Sequence, residues 1–390
     1  MLFPILLLSA AGFTVLTTEF LIVGLLPPMA RDLGVSVSQA GLLVTLFAFT
    51  VAAVGPFLTA ALSSAPRKRI FVGTLVLLGL ANVLAAFAPN IYVMAVARLV
   101  PAVILPVYWS LASATVVDLA GQERAGKAIS MVTFGVICAT VFGIPIGTLI
   151  SDAFGWRSAF GSLAMLAFAK ALMLQVFLPA AQPKQEKASV LNQMRILRDP
   201  VVAGHVLLSV LVFAGMFTPY TYLADMLERL AGFNGQLVGW TLMAFGAVGL
   251  IGNAVGGRIV DRSPLGASLL FNVVMAVGML VLAPAISMQW ALPAALAAWG
   301  IAQAGLFVVS HTRVMKSAPQ AAAFAASLNI SGANLGIGLG AIAGGRVIDT
   351  IGIERLGVAG AGILAIALVL TLMLMAAERG SRRPVLVSEA

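Results

Sequence analysis

The sequence predicts an all-α integral membrane protein: twelve transmembrane helices in two pseudo-symmetric six-helix bundles. Three observations lead there. Of 390 residues, 61% are hydrophobic and 9% charged, with a mean hydropathy of +1.06. About a quarter of a soluble domain is charged, and a soluble surface cannot hide so much apolar area. The apolar residues fall into twelve runs of about 20, the length that crosses a hydrocarbon core of about 30 Å. Finally, the chain resembles itself at an offset of 197 residues, as a duplicated six-helix unit would. The 39 glycines and 18 prolines fit this reading, since both are common in membrane helices.

Taken in order, the first span covers about 4–28, carries Glu19 and closes on Pro27-Pro28 before "RDLGVS". No basic leader or small-residue cleavage site precedes it, so it reads as a membrane helix and not a removable signal. The second, 39–62, ends at "SSAPRKR"; the third, 70–88, at "APN"; the fourth, 91–117, holds Arg98 and ends at "GQERAGK". The fifth, 127–151, is glycine-rich, and "FGWR" separates it from the sixth, 157–179. The seventh, 200–223, is followed by "AGFNGQ", the eighth, 236–260, by "DRSP", and the ninth covers 265–284. The tenth, 289–310, ends at "KSAPQ", and the eleventh and twelfth cover 320–346 and 355–376. These connections are polar or rich in glycine and proline, the residues that punctuate helices.

Fifteen lysines and arginines fall in one set of connections and their flanks, against four in the other. That positive-inside bias predicts both termini in the cytoplasm. The organisation is then a first bundle at 1–179, a cytoplasmic linker at 180–199, a second bundle at 200–378 and a cytoplasmic tail at 379–390. The linker region, "AAQPKQEKASVLNQMRILRDP", reads either as a plain connection or as one whose later part forms a short surface helix. The net charge of +9 follows the membrane faces and does not imply nucleic acid. Cys138 is the one cysteine, so no intrachain disulfide forms, and no metal or cofactor is expected. His205 and His311 sit near cytoplasmic ends of spans, where a histidine caps a helix or meets headgroups, and neither has a second ligand at metal spacing.

At the 197-residue offset, Gly135, Gly143, Gly147, Asp152 and Gly155 coincide with Gly332, Gly340, Gly344, Asp349 and Gly352, and Gln39 and Gly55 with Gln236 and Gly252. Glycines four apart leave a smooth strip on one helix face that admits close packing. Gly135, Gly143, Gly147, Gly340 and Gly344 are therefore candidate gating positions, as is Pro145, which interrupts the helical ladder as a bend used in switching or as a permanent kink.

The stretch "GVICATVFGIPIGTLISDAFGWRSAF" resembles the fifth-helix antiporter signature of the major facilitator superfamily. "TTEFLIVGLLPPMARDLGVS" is similar to the end of helix one in that family's sugar and nucleoside efflux branch, and "ARLVPAVILPVYWS" supplies Arg98 where the family has an arginine in helix four. The resemblance covers essentially the whole chain. It implies proton-coupled secondary active efflux, by antiport and alternating access, of a small organic solute or drug across the bacterial inner membrane, as in multidrug resistance. A facilitator or proton symporter for sugars or nucleosides is the alternative. One departure stands out: "GPFLTAALSSAPRKR" keeps Gly55 and the basic cluster but lacks the family's aspartate. "GNAVGGRIVDRSP" retains one, which makes Arg258 and Asp261 the candidate cytoplasmic lock.

Within the spans, Glu19 lies too deep to reach water by snorkelling, so it faces the bundle interior or an aqueous cavity. It either holds and releases the coupling proton, bonds structurally to Thr17 or Thr18, or contacts the cargo directly. Arg98 has no carboxylate in its own helix. Glu19, backbone carbonyls and substrate are its possible partners, and proton handling, which the resemblance implies, stands beside simple bracing of helices one and four. Lys170 reads as a snorkelling side chain, and Asp225 and Glu228 as solvated loop residues or part of an outer vestibule. Tyr108, Trp109, Tyr220, Asn253, Gln303, Asn329 and Asn334 are candidates for a cavity with apolar walls and a few hydrogen-bonding groups. The expected partners are a small neutral or weakly charged solute, protons and the bilayer, with the protein acting as a monomer. There is no phosphate-binding loop for ATP, and the scattered acids and lone histidines do not make an enzyme site.

Overall fold

The computed structural model describes residues 2–62, 65–121, 124–179, 196, 198–286, 288 and 290–381. The first half contains α1 (Leu2–Leu33), α2 (Val37–Leu62), α3 (Arg67–Ala86), α4 (Ile91–Ala120), α5 (Ala125–Cys138), α6 (Ile144–Phe154) and α7 (Trp156–Phe177). The second contains α8 (Pro200–Tyr220), α9 (Leu223–Ala231), α10 (Gly235–Ile259), α11 (Pro264–Ala285), α12 (Ala291–Ser317), α13 (Ala322–Thr350) and α14 (Leu356–Ser381). Among the described residues, twelve spans are long and apolar enough to cross a membrane, with α5–α6 and α8–α9 each forming one span. The residues 180–195, where the sequence leaves a surface helix open, and the tail beyond Ser381 lie outside the described residues.

Local chemistry sets the helix ends. The Asn90 side chain accepts from the Tyr92 and Val93 amides at 3.1 and 3.0 Å, and Asn234 from Leu237 at 2.8 Å. Ser36 and Gln39 form a reciprocal capping box before α2, at 3.0 and 3.1 Å. Pro145 lacks the N–H that would continue the ladder. The turn Ala139–Gly143 before it is a π-turn, with the Ile144 amide reaching back to the Ala139 carbonyl.

The duplication is visible in the packing. Gly155 and Gly352 both end a span with positive φ, 84° and 101°, a backbone region that side chains rarely tolerate. In the first half the glycine strip of the fifth span lies on α1. A Cβ at Gly135, Gly143 or Gly147 would strike Ser9, Thr17 or Leu21. In the second half, a Cβ at Gly340 or Gly344 would strike the Ala214 or Thr218 carbonyl of α8. Both strips therefore pack inside their own half.

Between the halves, α2 runs along α13 and α6 along α10, second span on eleventh and fifth on eighth. The polar bonds of this seam gather toward the face away from the termini. Arg31 Nη1 pairs with Glu228 Oε2 at 2.7 Å, Ser38 Oγ donates to Asp349 Oδ2 at 2.8 Å, and Thr45 Oγ1 to the Gly338 carbonyl at 3.2 Å. The repeat mate of the Ser38 contact brings Asp152 against Gly235, at the first turn of α10. The halves are joined at this face.

If the seam must part during function, locking it stops the cycle. In a Cys138→Ser background, Ser38→Cys with Asp349→Cys should form a disulfide under mild oxidation. That link should hold the halves together after cleavage of the linker and stop the cycle until it is reduced. Failure to cross-link would contradict the seam described above.

Candidate functional site

Glu19 sits midway along α1 and is 9% exposed, and Arg98 of α4 is 1% exposed. The guanidinium does not bond to the carboxylate. It grips the main chain: Nη1 donates to the Thr18 carbonyl, and Nη2 donates to the Glu19 carbonyl at 2.6 Å. Phe47 of α2 lies under the guanidinium, 4.6 Å from ring centroid to Cζ. A buried carboxylate costs several kcal/mol unless another charge offsets it. Arg98 supplies that charge nearby while no described hydrogen bond occupies the carboxyl oxygens.

The same turn of α1 is held from other sides. Asn82 of α3 donates to Thr18 Oγ1 at 3.2 Å, and Thr18 Oγ1 donates to the Thr14 carbonyl at 3.0 Å. Thr17 presses on Gly143, its hydroxyl buried without a partner. Neither threonine hydroxyl bonds to Glu19, so the structural pairing weighed from the sequence is not the arrangement found.

One residue further, Phe20 borders a cavity of about 90 Å³ at mid-depth between the halves. Ten of its thirteen lining residues come from the second half; Phe20, Thr140 and Ile144 are the contribution of the first. Gly246, Gly249 and Gly300 also border it, at positions where a Cβ would strike Thr140, Ala304 and Phe245 of the adjoining helices. Its rings are ordered: Tyr220 stacks on Phe245 at 5.7 Å and 24°, and meets Phe217 edge-on at 5.3 Å and 84°. Trp299 backs Phe245 edge-on at 5.5 Å. Gln303 is 6% exposed, and its Oε1 has no hydrogen-bond partner.

Of the seven polar and aromatic residues singled out in the sequence, Tyr220 and Gln303 line this cavity. Tyr108 is fully buried in the first half, its hydroxyl donating to the Leu8 carbonyl at 2.5 Å, with Trp109 edge-on against it. Asn253 is half-buried on α10. Asn329 accepts from Ser209 Oγ at 2.8 Å, and Asn334 donates to the Ile330 carbonyl at 3.1 Å. Asp261 pairs with Lys316 at 2.8 Å within the second half, and Arg258 is exposed.

Several expectations are corrected. Asp225 and Glu228 belong to helix α9 and not to a loop: Asp225 is 2% exposed and pairs with Arg229 at 3.4 Å, while Glu228 bonds across to α1. His205, near the start of α8, is 3% exposed, with its Nε2 3.8 Å from Glu378 Oε1 near the end of α14. Its carbonyl and Nδ1 both lie 3.0 Å from Arg313 Nη1. Arg313 itself belongs to α12 and is 1% exposed, with Nη2 donating to Ser209 Oγ at 3.0 Å. Because Arg313 can only donate, His205 Nδ1 is the acceptor and its proton rests on Nε2. The signal was present: Arg313 is in helical phase with Gln303 and Ser310 on the buried face of the tenth span.

A second cavity, about 340 Å³, lies near the face away from the termini and is lined by Arg31, Asp152, Glu228, Thr148 and Ser151 among others.

Against known proteins, the model described as Major Facilitator Superfamily matches residues 8–341. The chain is 30% identical to the inner membrane transport protein YdhP of Escherichia coli (strain K12), covering 95% of each. It is 28% identical to a probable sugar efflux transporter of Pasteurella multocida, over 94% of this chain and 90% of that one. Among solved structures, a D-xylose–proton symporter superposes with a TM-score of 0.74 at 16% identity, covering 96% and 97% of the two chains; at that identity the likeness is one of fold.

The Arg98 clamp makes a direct prediction. Each charge-assisted bond contributes about 1.5–3 kcal/mol, so Arg98→Met should cost at least about 3 kcal/mol in total and lower Tm by several degrees. Arg98→Lys, with one point donor in place of a fork, should fall between. An unchanged Tm in Arg98→Met would mean that the clamp does not hold α1 to α4.

Proposed function

The chain belongs to the major facilitator superfamily, and from that premise we propose that it is a multi-pass inner-membrane transporter moving a small, uncharged organic solute by alternating access, linked to a proton at Glu19. The carrying observation is that one helix, α1, bears all three parts. It holds Glu19 under the Arg98 clamp, it borders the central cavity through Phe20, and it ends in the Arg31–Glu228 pair that joins the halves.

With both termini cytoplasmic, the joined face is the outer one, so this conformation is closed outward. Exposed ion pairs contribute about 0–1 kcal/mol each. A seam of a few such bonds holds one conformation by only a few kcal/mol, within what binding of a proton and a solute can reverse. Protonation of Glu19 removes a charge that Arg98 helps to hold, and α1 conveys the change to the cavity wall and to the outer seam.

Direction is the finer question. Exchange, the wiring expected from the sequence, is simplest when proton and solute compete for one site. Glu19 is not among the cavity-lining residues. A proton site beside the cargo site can be loaded while cargo is bound, as co-transport requires, and this separation favours the symporter or facilitator reading.

The test uses purified protein in liposomes with a pH-sensitive dye inside and a panel of antibiotics, nucleosides and sugars. Wild type should show solute-dependent proton movement, and Glu19→Gln should lose it at least about tenfold while retaining solute counterflow. Protons entering against the solute indicate export by exchange; protons moving with it indicate symport. Coupling that survives in Glu19→Gln removes Glu19 from the mechanism.

A further inference from the structure

The walls of the central cavity narrow the solute. We infer that the cargo is a neutral, flat heteroaromatic compound with one hydrogen-bonding edge, stacked among Phe217, Tyr220 and Phe245 with Gln303 reading that edge; this deepens the reading of the cavity as the cargo site and rests on it.

Three features carry the inference. Among the described residues, no Asp, Glu, Lys or Arg lines the cavity, so a charged solute would be desolvated there without a counter-charge. The polar groups on its wall are few: the Tyr220 hydroxyl, the Gln303 amide and the Thr140 hydroxyl, whose proton is already given to the Ile137 carbonyl at 2.9 Å. A pyranose presents a hydroxyl on almost every ring carbon. Once both faces of the transporter close over it, most of those groups would lack partners, each costing about tenfold or more in affinity. A flat ring needs none of these partners on its faces. Tyr220 and Phe245 already stack at 5.7 Å, and Phe217 presents an edge to Tyr220. These are the offset and edge-to-face geometries that a guest ring extends.

Gln303 supplies the second, independent observation. Its side chain is 94% buried by its 6% exposure, it lines the cavity, and its Oε1 is unpartnered. A buried amide oxygen without a donor is costly, and a guest N–H or O–H would satisfy it. A carboxamide offers a donor and an acceptor side by side, matching the N–H and C=O that adjoin on a lactam edge. The small volume, about 90 Å³, suits a ring-sized group in this closed-outward state.

The experiment is calorimetric binding to the full-length protein in nanodiscs with three probes: 2-quinolinone, its N-methyl derivative and D-glucose. The ring compounds should bind and D-glucose should not, up to about 10 mM. Gln303→Leu should weaken 2-quinolinone at least tenfold and weaken the N-methyl derivative, which keeps only the carbonyl half of the edge, clearly less. Gln303→Asn, which keeps the amide, serves as the folding control, with Tm as the check. Phe245→Leu should weaken both rings about tenfold. D-glucose binding as tightly as the rings, neither ring binding, or equal loss of both rings in Gln303→Leu would each overturn the inference. The outcome separates from the transport reading: rings that bind but move no proton would leave this assignment standing and remove the proton link. Proton flux driven by D-glucose without ring binding would do the reverse.

Discussion

A carboxyl group buried halfway along α1 has to be held in place without being neutralised, and the rest of the site follows from how that is done. Arg98 binds the carbonyls of Thr18 and of Glu19 itself, and no described hydrogen bond occupies the carboxyl oxygens. Carbonyls already engaged in a helix have a second lone pair to offer, so the clamp costs α1 none of its own ladder. Asn82 and Gly143 fix the same turn from α3 and the fifth span. The turn so held lies on the same helix as Phe20 at the cavity and Arg31 at the seam between the halves.

The two halves share a scaffold and differ in chemistry. Glycine strips, end-of-span glycines and the Asp152 and Asp349 positions repeat at 197 residues and perform equivalent packing. Glu19 and Arg98 have no counterparts, since the same offset lands on Met216 and Ala295. The aromatic wall belongs mostly to the second half. Its buried Arg313 donates through both terminal nitrogens to neutral acceptors on His205 and Ser209. The duplicated frame is shared, whereas the buried carboxyl belongs to the first half and most of the aromatic cavity wall to the second.

How much of this was legible follows from what a bilayer does to sequence patterns. The span count and the depth of Glu19 and Arg98 could be read because charge is expensive in lipid and so marks itself. Glycine spacing showed the repeat because close packing admits no other residue. Facing was harder. A helix between lipid and protein is apolar on both sides, so periodicity does not say which side looks inward. That is why Tyr220 and Gln303 reach the cavity while Tyr108, equally polar in type, packs against Leu8. Arg98's partner was left open between a carboxylate and carbonyls because spacing along one helix carries no information about a second. Asp225 and Glu228 were read as loop residues because α9 continues past the apolar window of the seventh span, held by packing that hydropathy does not register.

The Arg31–Glu228 pair has a history written into its numbering. The two residues are mates under the internal repeat, 197 positions apart. Around a two-fold axis relating identical halves, such a residue meets its own copy, and two arginines or two glutamates there would repel. The bond therefore belongs to a single fused chain whose halves could change sign independently. Closure of this face by opposite charges is a property that a symmetric dimer of the same six-helix unit could not have possessed.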